Sequence, residues 1–123
     1  RTLGGGKGIG KDLWIRIAQE GCDLVIVDVD VQNAKVTARE IEIEFKVQCR
    51  AYLCDVSDYS AIEKLKSEIE NDMRPVDILV NNAGLLYMDH FVSSDIKVIQ
   101  NVIDVNLTAQ LMVISRNLCI KFE

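Results

Sequence analysis

Two nearly continuous apolar runs constrain the fold of this chain more than any other feature. Leu24 to Val29 and Val76 to Val80 each contain one polar residue, an aspartate. Runs of this kind are typical of parallel strands covered by helices on both faces, whereas a strand with one wet face would alternate apolar and polar residues. We therefore predict buried parallel strands over 24–29 and 76–80, with a shorter strand at Arg50 to Cys54.

Helical patterns separate the predicted strands. Apolar residues recur at steps of three and four after each run, which is the spacing of a helix with one buried face. Gly21 is expected to end the first helix as its C-cap. Ser60-Ala61-Ile62-Glu63 resembles a capping box at the start of the third helix, or lies within one turn of that start. The predicted helices run from about Gly8 to Gln19, from Val31 to Lys46, from about Ser60 to Met73, and from Ser94 towards Ile120.

The alternation of strands and helices predicts an α/β fold with a doubly wound parallel sheet of the Rossmann type. We expect one partial domain over residues 1–123, in strand order 3-2-1-4. The first strand is expected to be truncated, because only Arg1 to Leu3 precede the glycine-rich segment, and later strands and helices of the sheet are expected to be missing. Right-handed crossovers place the carboxyl ends of all strands at one edge, where such folds bind ligands.

Composition excludes several classes of function. The chain is 49% hydrophobic and 27% charged, with a net charge of −5, and its basic residues are scattered. Because nucleic-acid binding requires clustered Lys or Arg, no nucleic-acid partner is expected. No apolar run is expected to reach the ~18–20 residues of a membrane span, so any membrane anchor would lie upstream of Arg1. The four cysteines form no C-x-x-C pair, and no metal site is expected.

The glycine-rich segment at residues 4–10 is the first candidate site. Gly4, Gly8 and Gly10 fit the pattern G-x-x-x-G-x-G, with Lys7 and Ile9 between them. Glycines allow a strand to turn sharply into a helix and bring bare backbone against a pyrophosphate, which the amides at the helix start then bind. A plain glycine turn is the alternative interpretation.

A second motif overlaps the first. Gly5 to Lys11 reads G-x-x-x-x-G-K, which is the beginning of a P-loop and would indicate a nucleotide hydrolase. The P-loop requires Ser or Thr after its lysine to hold magnesium, but Asp12 stands there. An aspartate would repel phosphates, so the P-loop is a remote alternative.

Asp28 is the second candidate. It ends the second predicted strand, 18 residues after Gly10. Dinucleotide-binding folds have an acidic residue about 20 residues after the glycine motif, where it accepts hydrogen bonds from an adenosine ribose hydroxyl. Because Asp30 follows closely, a helix-capping or solvated aspartate is the alternative.

Three further motifs, together with the glycine segment, resemble the short-chain dehydrogenase/reductase family. Asp55-Val56 follows the third strand, Asn81-Asn82-Ala83-Gly84 follows the fourth, and Val105-Asn106-Leu107 lies in the last helix. Each dipeptide is weak evidence by itself, but four matches in order at the expected strand ends are specific. The resemblance covers nearly the whole chain and is closest to hydroxysteroid and retinol dehydrogenases.

The resemblance implies an oxidoreductase that transfers hydride between a nicotinamide cofactor and an alcohol or carbonyl substrate, for which a steroid or retinoid is one class. It implies that the glycines contact the pyrophosphate and that Asp55 and Val56 contact the adenine edge. It places Asn82 to Gly84 beside the nicotinamide-side ribose, and it implies that Asn106 holds a water of a proton relay. The implied catalytic residue is Asn106, and the implied cofactor-binding residues are Gly4, Lys7, Gly8, Ile9, Gly10, Asp28, Asp55, Val56, Asn82, Ala83 and Gly84.

The chain also departs from the family pattern. Members use a Tyr-x-x-x-Lys pair, but Val56, Glu63 and Phe91 stand four residues after the three tyrosines. Leu3 stands where the family usually has threonine. We therefore expect residues 1–123 alone to be inactive: they would be the cofactor half of an enzyme or, alternatively, a truncated nucleotide-binding chain without catalysis.

Three further expectations concern cofactor and partners. NAD is expected rather than NADP, because Asp28 would repel the additional phosphate, although Lys7 argues the other way. The helix from Ser94 has apolar residues on two faces, of which one can cover the sheet. The resemblance implies that the other face packs against its twin in a homo-oligomer, and burial by a further part of the same subunit is the alternative. The expected location is the cytoplasm or the cytosolic face of the endoplasmic reticulum or a lipid droplet.

Overall fold

The computed structural model describes residues 2–3, 9–87 and 91–117. Its strands are β1 (Thr2–Leu3), β2 (Leu24–Asp28), β3 (Cys49–Leu53) and β4 (Val80–Asn81). Its helices are α1 (Ile9–Gln19), α2 (Val31–Phe45), α3 (Tyr59–Asp72), α4 (Ile96–Ile103) and α5 (Ala109–Asn117), with a 3-10 turn at Phe91–Ser93 and a π-helical segment at Asp104–Thr108.

The four strands form one parallel sheet in the order β3-β2-β1-β4, as the alternation of strands and helices predicts. β2 and β3 pair along five residues, from Leu24 opposite Cys49 to Asp28 opposite Leu53. β1 lies between β2 and β4, so the chain crosses the sheet in opposite directions on its two sides. This reversal opens a crevice at the carboxyl ends of the strands.

β4 is shorter than the sequence predicts. The prediction of a strand over 76–80 is wrong for residues 76–79, since within the described residues only Val80 and Asn81 pair, opposite Thr2 and Leu3. Val76 and Leu79 nevertheless pack against the core.

The core lies on both faces of β2. Leu24 and Ile26 contact the α1–α2 layer, which contains the fully buried Trp14, while Val25 and Val27 contact the α3–α5 layer. Alternate residues of a strand point to opposite faces, and all four of these β2 side chains are at most 3% exposed. This double burial explains why β2 is an unbroken apolar run in the sequence.

Local sequence determines most helix ends. Gly21 follows α1 with φ of 79°, which confirms its predicted role as the C-cap. Asp30 caps α2, and Asp58 caps α3 by accepting hydrogen bonds from the amides of Ser60 and Ala61. The cap is thus Asp58, two residues before Ser60 and within the one turn that the prediction allows, because an aspartate with the required extended backbone stands there.

The last helix is interrupted. The sequence predicts a single helix from Ser94, but α4 starts at Ile96 after the cap Asp95, and the π-helical segment separates it from α5. A π turn holds one more residue than an α turn, so the apolar faces on its two sides are rotated relative to each other. Residues 118–120 of the predicted helix lie outside the described residues.

The stretch Ile96–Ser115 has 20 residues and a mean hydropathy of 1.3, enough by length and composition to cross a membrane. The expectation that no stretch reaches this length is therefore wrong. The core helices of many folds meet the same criterion, and Val113 here packs with Ile62 and Ile69 of α3. Only 11% of the stretch is buried, so most of its apolar surface is open.

Candidate functional site

A cavity of about 280 Å³ lies at the carboxyl edge of β2 and β3 and beside the loop after β4. Such a position, where the strand order reverses, is the usual ligand site of open α/β sheets. The cavity brings together five residues that the sequence assigned to a cofactor. Its lining consists of Val27, Asp28, Val29, Cys54, Asp55, Val56, Ser57, Ala83, Gly84, Leu85, Asn101 and Val105.

Asp28 and Asp30 have different surroundings although they are two residues apart. The Asp30 carboxylate accepts hydrogen bonds from the backbone and side-chain amides of Asn33 and so caps α2. Asp28 Oδ1 accepts a hydrogen bond of 2.9 Å from the Asp30 amide, and the Asp28 side chain is half-buried in the cavity wall. The alternative that Asp28 caps the helix is therefore wrong.

Asp55 is held by a tight turn after β3. Its Oδ1 accepts hydrogen bonds from the amide of Ser57 at 2.9 Å and from the Ser57 hydroxyl at 2.7 Å. Within the described part of the chain, Oδ2 of Asp55 accepts no hydrogen bond, so it can accept one from a ligand in the cavity. Val56 is half-buried beside it.

Cys54 forms part of the apolar floor of the cavity. Burial raises the pKa of its thiol to about 11, and the charges of Asp55, Asp58 and Glu68 act in the same direction. The thiol is therefore protonated at neutral pH, and it donates a weak hydrogen bond to the Asp55 carbonyl at 3.6 Å. A protonated thiol is a poor nucleophile, so Cys54 contributes shape and low polarity.

Asn106 joins the π-helical segment to the loop after β4. The Leu85 amide donates to Asn106 Oδ1 at 2.7 Å, and Asn106 Nδ2 donates to the Leu85 carbonyl at 2.8 Å. Both ends of the carboxamide are thus engaged with one residue, as in a pair of β-strand hydrogen bonds. A water of a proton relay, as the resemblance implies for Asn106, would compete with Leu85 for this side chain.

The remaining predicted residues fall into two groups. Ile9 and Gly10 are the first residues of α1, and Ile9 is 83% exposed whereas Gly10 is buried. Asn82 is half-buried and directly follows β4. Gly4, Lys7 and Gly8, which the sequence assigns to the pyrophosphate loop, lie outside the described residues.

Sequence reasoning missed three polar or structural participants. Ser57 orients Asp55, Leu85 pairs with Asn106, and Asn101 lines the cavity from α4. Asp55-x-Ser57 is typical of a turn in which an aspartate side chain accepts a hydrogen bond from the backbone two residues later. The contact between Asp55 and Ser57 could therefore have been predicted from the sequence. Asn101 is five residues before Asn106, a spacing that shares no face of a regular helix, so periodicity gave no signal.

Known proteins resemble the chain along most of its length. The family described as short chain dehydrogenase matches residues 2–119. The probable oxidoreductase EphD of Mycobacterium tuberculosis is 35% identical over 106 residues, which are 86% of this chain and 18% of that protein. Epidermal retinol dehydrogenase 2 of Homo sapiens is 27% identical over 88% of this chain and 35% of its own length.

A solved structure shows the same fold. A short-chain dehydrogenase from Sphingobium yanoikuyae in complex with NADPH superposes with a TM-score of 0.82 and 28% identity, covering 93% of this chain and 45% of that one. The chain therefore spans less than half the length of these relatives.

Proposed function

The chain belongs to the short-chain dehydrogenase family, and we propose that the protein transfers hydride between a nicotinamide cofactor and an alcohol or carbonyl substrate. One observation carries the proposal: a single cavity at the strand-order reversal gathers Asp28, Asp55, Val56, Ala83 and Gly84. These residues lie far apart in sequence, and the sheet topology brings them together. Family membership also leaves no place for the P-loop alternative.

The cavity fits the adenosine end of a dinucleotide. Its floor of Val27, Cys54 and Val105 is apolar and suits the faces of an aromatic base, while the Asp28 and Asp55 carboxylates are acceptors at its edge. A base bound there would present an amino group to Asp55 Oδ2 and a ring nitrogen to the Val56 amide. Asp28 would accept hydrogen bonds from ribose hydroxyls.

In this proposal the described residues bind and orient the cofactor, and the proton transfer between substrate and enzyme is assigned to other residues. A nicotinamide cofactor supplies hydride transfer when it is bound. The Asn106 carboxamide fixes the loop after β4 through Leu85, which keeps Ala83 and Gly84 against the cavity. Family resemblance implies that a tyrosine, a lysine and a serine outside these residues complete the proton transfer.

NAD is the proposed cofactor form. The Asp28 carboxylate would face the additional phosphate of NADP, and two unit charges ~4 Å apart repel by about 4 kcal/mol at an effective dielectric near 20, an upper figure for a partly wet site. About 1.4 kcal/mol is enough for tenfold discrimination. Lys7 and the NADPH of the Sphingobium yanoikuyae structure favour NADP, but a carboxylate that contacts the ribose directly acts at a shorter distance.

The exposed face of the last helices supports a homo-oligomer. Ile103, Leu107 and Leu111 are 43–58% exposed, and Ile96 of α4 and Ile114 of α5 are exposed too. A second copy could cover this face, as could a further part of the same protein. We propose that a second copy of the chain covers it.

We propose an apolar alcohol, such as a retinoid or steroid, as the substrate. The proposed location is the cytoplasmic side of any membrane.

Cofactor binding tests the proposal directly. In the longest natural chain that contains residues 1–123, NADH should bind with a blue-shifted, enhanced fluorescence, and Asp28→Ala should reduce the preference for NAD over NADP by about tenfold. Asp77→Asn is the matched control, because Asp77 is exposed and lies outside the cavity. Absence of NADH binding would refute the function, while equal NAD and NADP affinities in the unsubstituted protein would refute only the preference.

A further inference from the structure

One wall of the cavity is formed by α4 and the segment after it. Asn101 and Val105 are four residues apart, about one helical turn, and both line the cavity. Val105 adds apolar surface, whereas Asn101 has a carboxamide side chain, and the turn after β3 lines the same cavity. The resemblance to the family assigned no role to Asn101.

The Asn101 side chain is uncommitted. Its backbone carbonyl accepts a hydrogen bond from the Asp104 amide, but within the described residues its carboxamide makes none. The Asn101 side chain is exposed, so water solvates its carboxamide until a ligand replaces that water. Other polar side chains of the cavity are already engaged: Asp28 with the Asp30 amide, and Ser57 with Asp55.

Asn101 adds side-chain hydrogen-bond donors that the two carboxylates of the cavity lack. Asp28 and Asp55 supply only acceptors, and among the described lining residues Asn101 alone has a side chain with both an acceptor and two donor hydrogens. A carboxamide matches the N6 and N7 atoms of adenine, accepting from the amino group and donating to the ring nitrogen. Asp55 and Val56 would meet the other edge of the same base, at N6 and N1.

We propose that Asn101 is a positioning residue for the cofactor's adenine, which it holds through N6 and N7. The inference rests on the proposed function, because it requires an adenine in this cavity. Both edges of the base would then be hydrogen-bonded: the turn after β3 would bind the N1 and N6 edge, and α4 would bind the N6 and N7 edge. Adenine would then be fixed relative to α4, the helix that leads directly to Asn106.

The test uses a ligand that lacks only N7. ADP-ribose and its 7-deaza analogue are titrated by calorimetry into the longest natural chain containing residues 1–123. We expect the unsubstituted protein to bind the 7-deaza analogue about five- to twentyfold more weakly, in the range of a lost base contact. Asn101→Leu, which approximately preserves side-chain size and favours the helix more than asparagine does, should weaken ADP-ribose binding by a similar factor and bind both ligands equally.

Two further measurements make the result interpretable. Lys97→Ala, one turn earlier on the same helix and outside the cavity, should retain the preference for ADP-ribose over the analogue. Equal affinities in the unsubstituted protein, or an undiminished preference in Asn101→Leu, would overturn the role of Asn101 while leaving the proposed function in place. Failure of the unsubstituted protein to bind either ligand would overturn both.

Discussion

The Asn106–Leu85 pair offers the sharpest test of how the fold holds the loop after β4. Asn106→Ala removes two hydrogen bonds, of 2.7 and 2.8 Å, between the π-helical segment and the loop after β4. A typical hydrogen bond contributes a net ~0.5–1.5 kcal/mol. Because both groups are exposed and water can replace the lost partners, we expect a loss of about 1–2 kcal/mol in the free energy of unfolding.

A second substitution separates the two bonds. Asn106→Asp keeps an acceptor for the Leu85 amide but loses the donor to the Leu85 carbonyl, and it places a carboxylate beside that carbonyl oxygen. We expect Asn106→Asp to be at least as destabilising as Asn106→Ala at neutral pH and to recover part of the loss when the carboxylate is protonated. Loss of NADH affinity should accompany both, because Ala83 and Gly84 line the cavity from the same loop.

Urea denaturation of the longest natural chain, with NADH binding measured in parallel, gives both quantities. Gln100→Ala is the control, since it removes one exposed side-chain hydrogen bond to Asp104 on the same helix and should cost under ~0.5 kcal/mol. Asn106 variants that match the unsubstituted protein in both measurements would refute the argument that this pair fixes the loop.

Other predictions concern the core, the caps and the catalytic base. Trp14 is fully buried, and its Nε1 has no hydrogen-bond partner among the described residues, so Trp14→Phe should cost under ~1.5 kcal/mol in urea denaturation and Trp14→Ala about 3–5 kcal/mol. Hydrogen bonds from the Ser60 side chain and from the Ala61 and Ser60 amides lower the pKa of the Asp58 carboxyl. Their stabilisation of the fold is present above the unfolded-state pKa and is lost as the pH falls through the folded-state pKa. The difference in free energy of unfolding between the unsubstituted protein and Asp58→Ala should therefore shrink in acid. Residues 1–123 alone should reduce no NAD with any alcohol, because no Tyr-x-x-x-Lys pair is present; substrate-dependent NADH formation by a homogeneous sample would contradict this. The same isolated chain should show no single cooperative urea transition as a monomer, because β4 pairs along only two residues.

The topology and most of the site could be predicted from sequence because both depend on strand ends. Apolar runs locate β2 and β3, and a parallel sheet carries their ends to one edge, so Asp28 and Asp55 had to lie close together. The residues directly after a buried strand are therefore a reliable guide to the lining of the crevice.

Features that depend on a single inserted residue or on pairing could not be predicted. The π-helical segment that turns Asn106 towards Leu85 leaves the apolar pattern of the last helix nearly unchanged, so periodicity indicates one continuous helix. The predicted β4 is too long because its residues are apolar, whereas the bounds of a strand depend on backbone pairing, which in the described part of the chain joins Val80 and Asn81 to Thr2 and Leu3. Neither quantity is local to the residues concerned.

Backbone geometry gives Asp28 and Asp30 different surroundings, although their side chains are chemically identical. Asp30 lies in the position where its carboxylate reaches the first amides of α2, so it neutralises the partial positive charge of the helix start. Asp28 ends a strand, and the Asp30 amide turns its carboxylate to the cavity edge. Asp30→Asn should therefore leave the cofactor preference intact, since asparagine also caps helices, whereas Asp28→Asn should reduce it by removing the charge that opposes a phosphate. Equal effects of the two substitutions on the ratio of NAD to NADP affinity would show that the local field, rather than direct contact by Asp28, sets the preference.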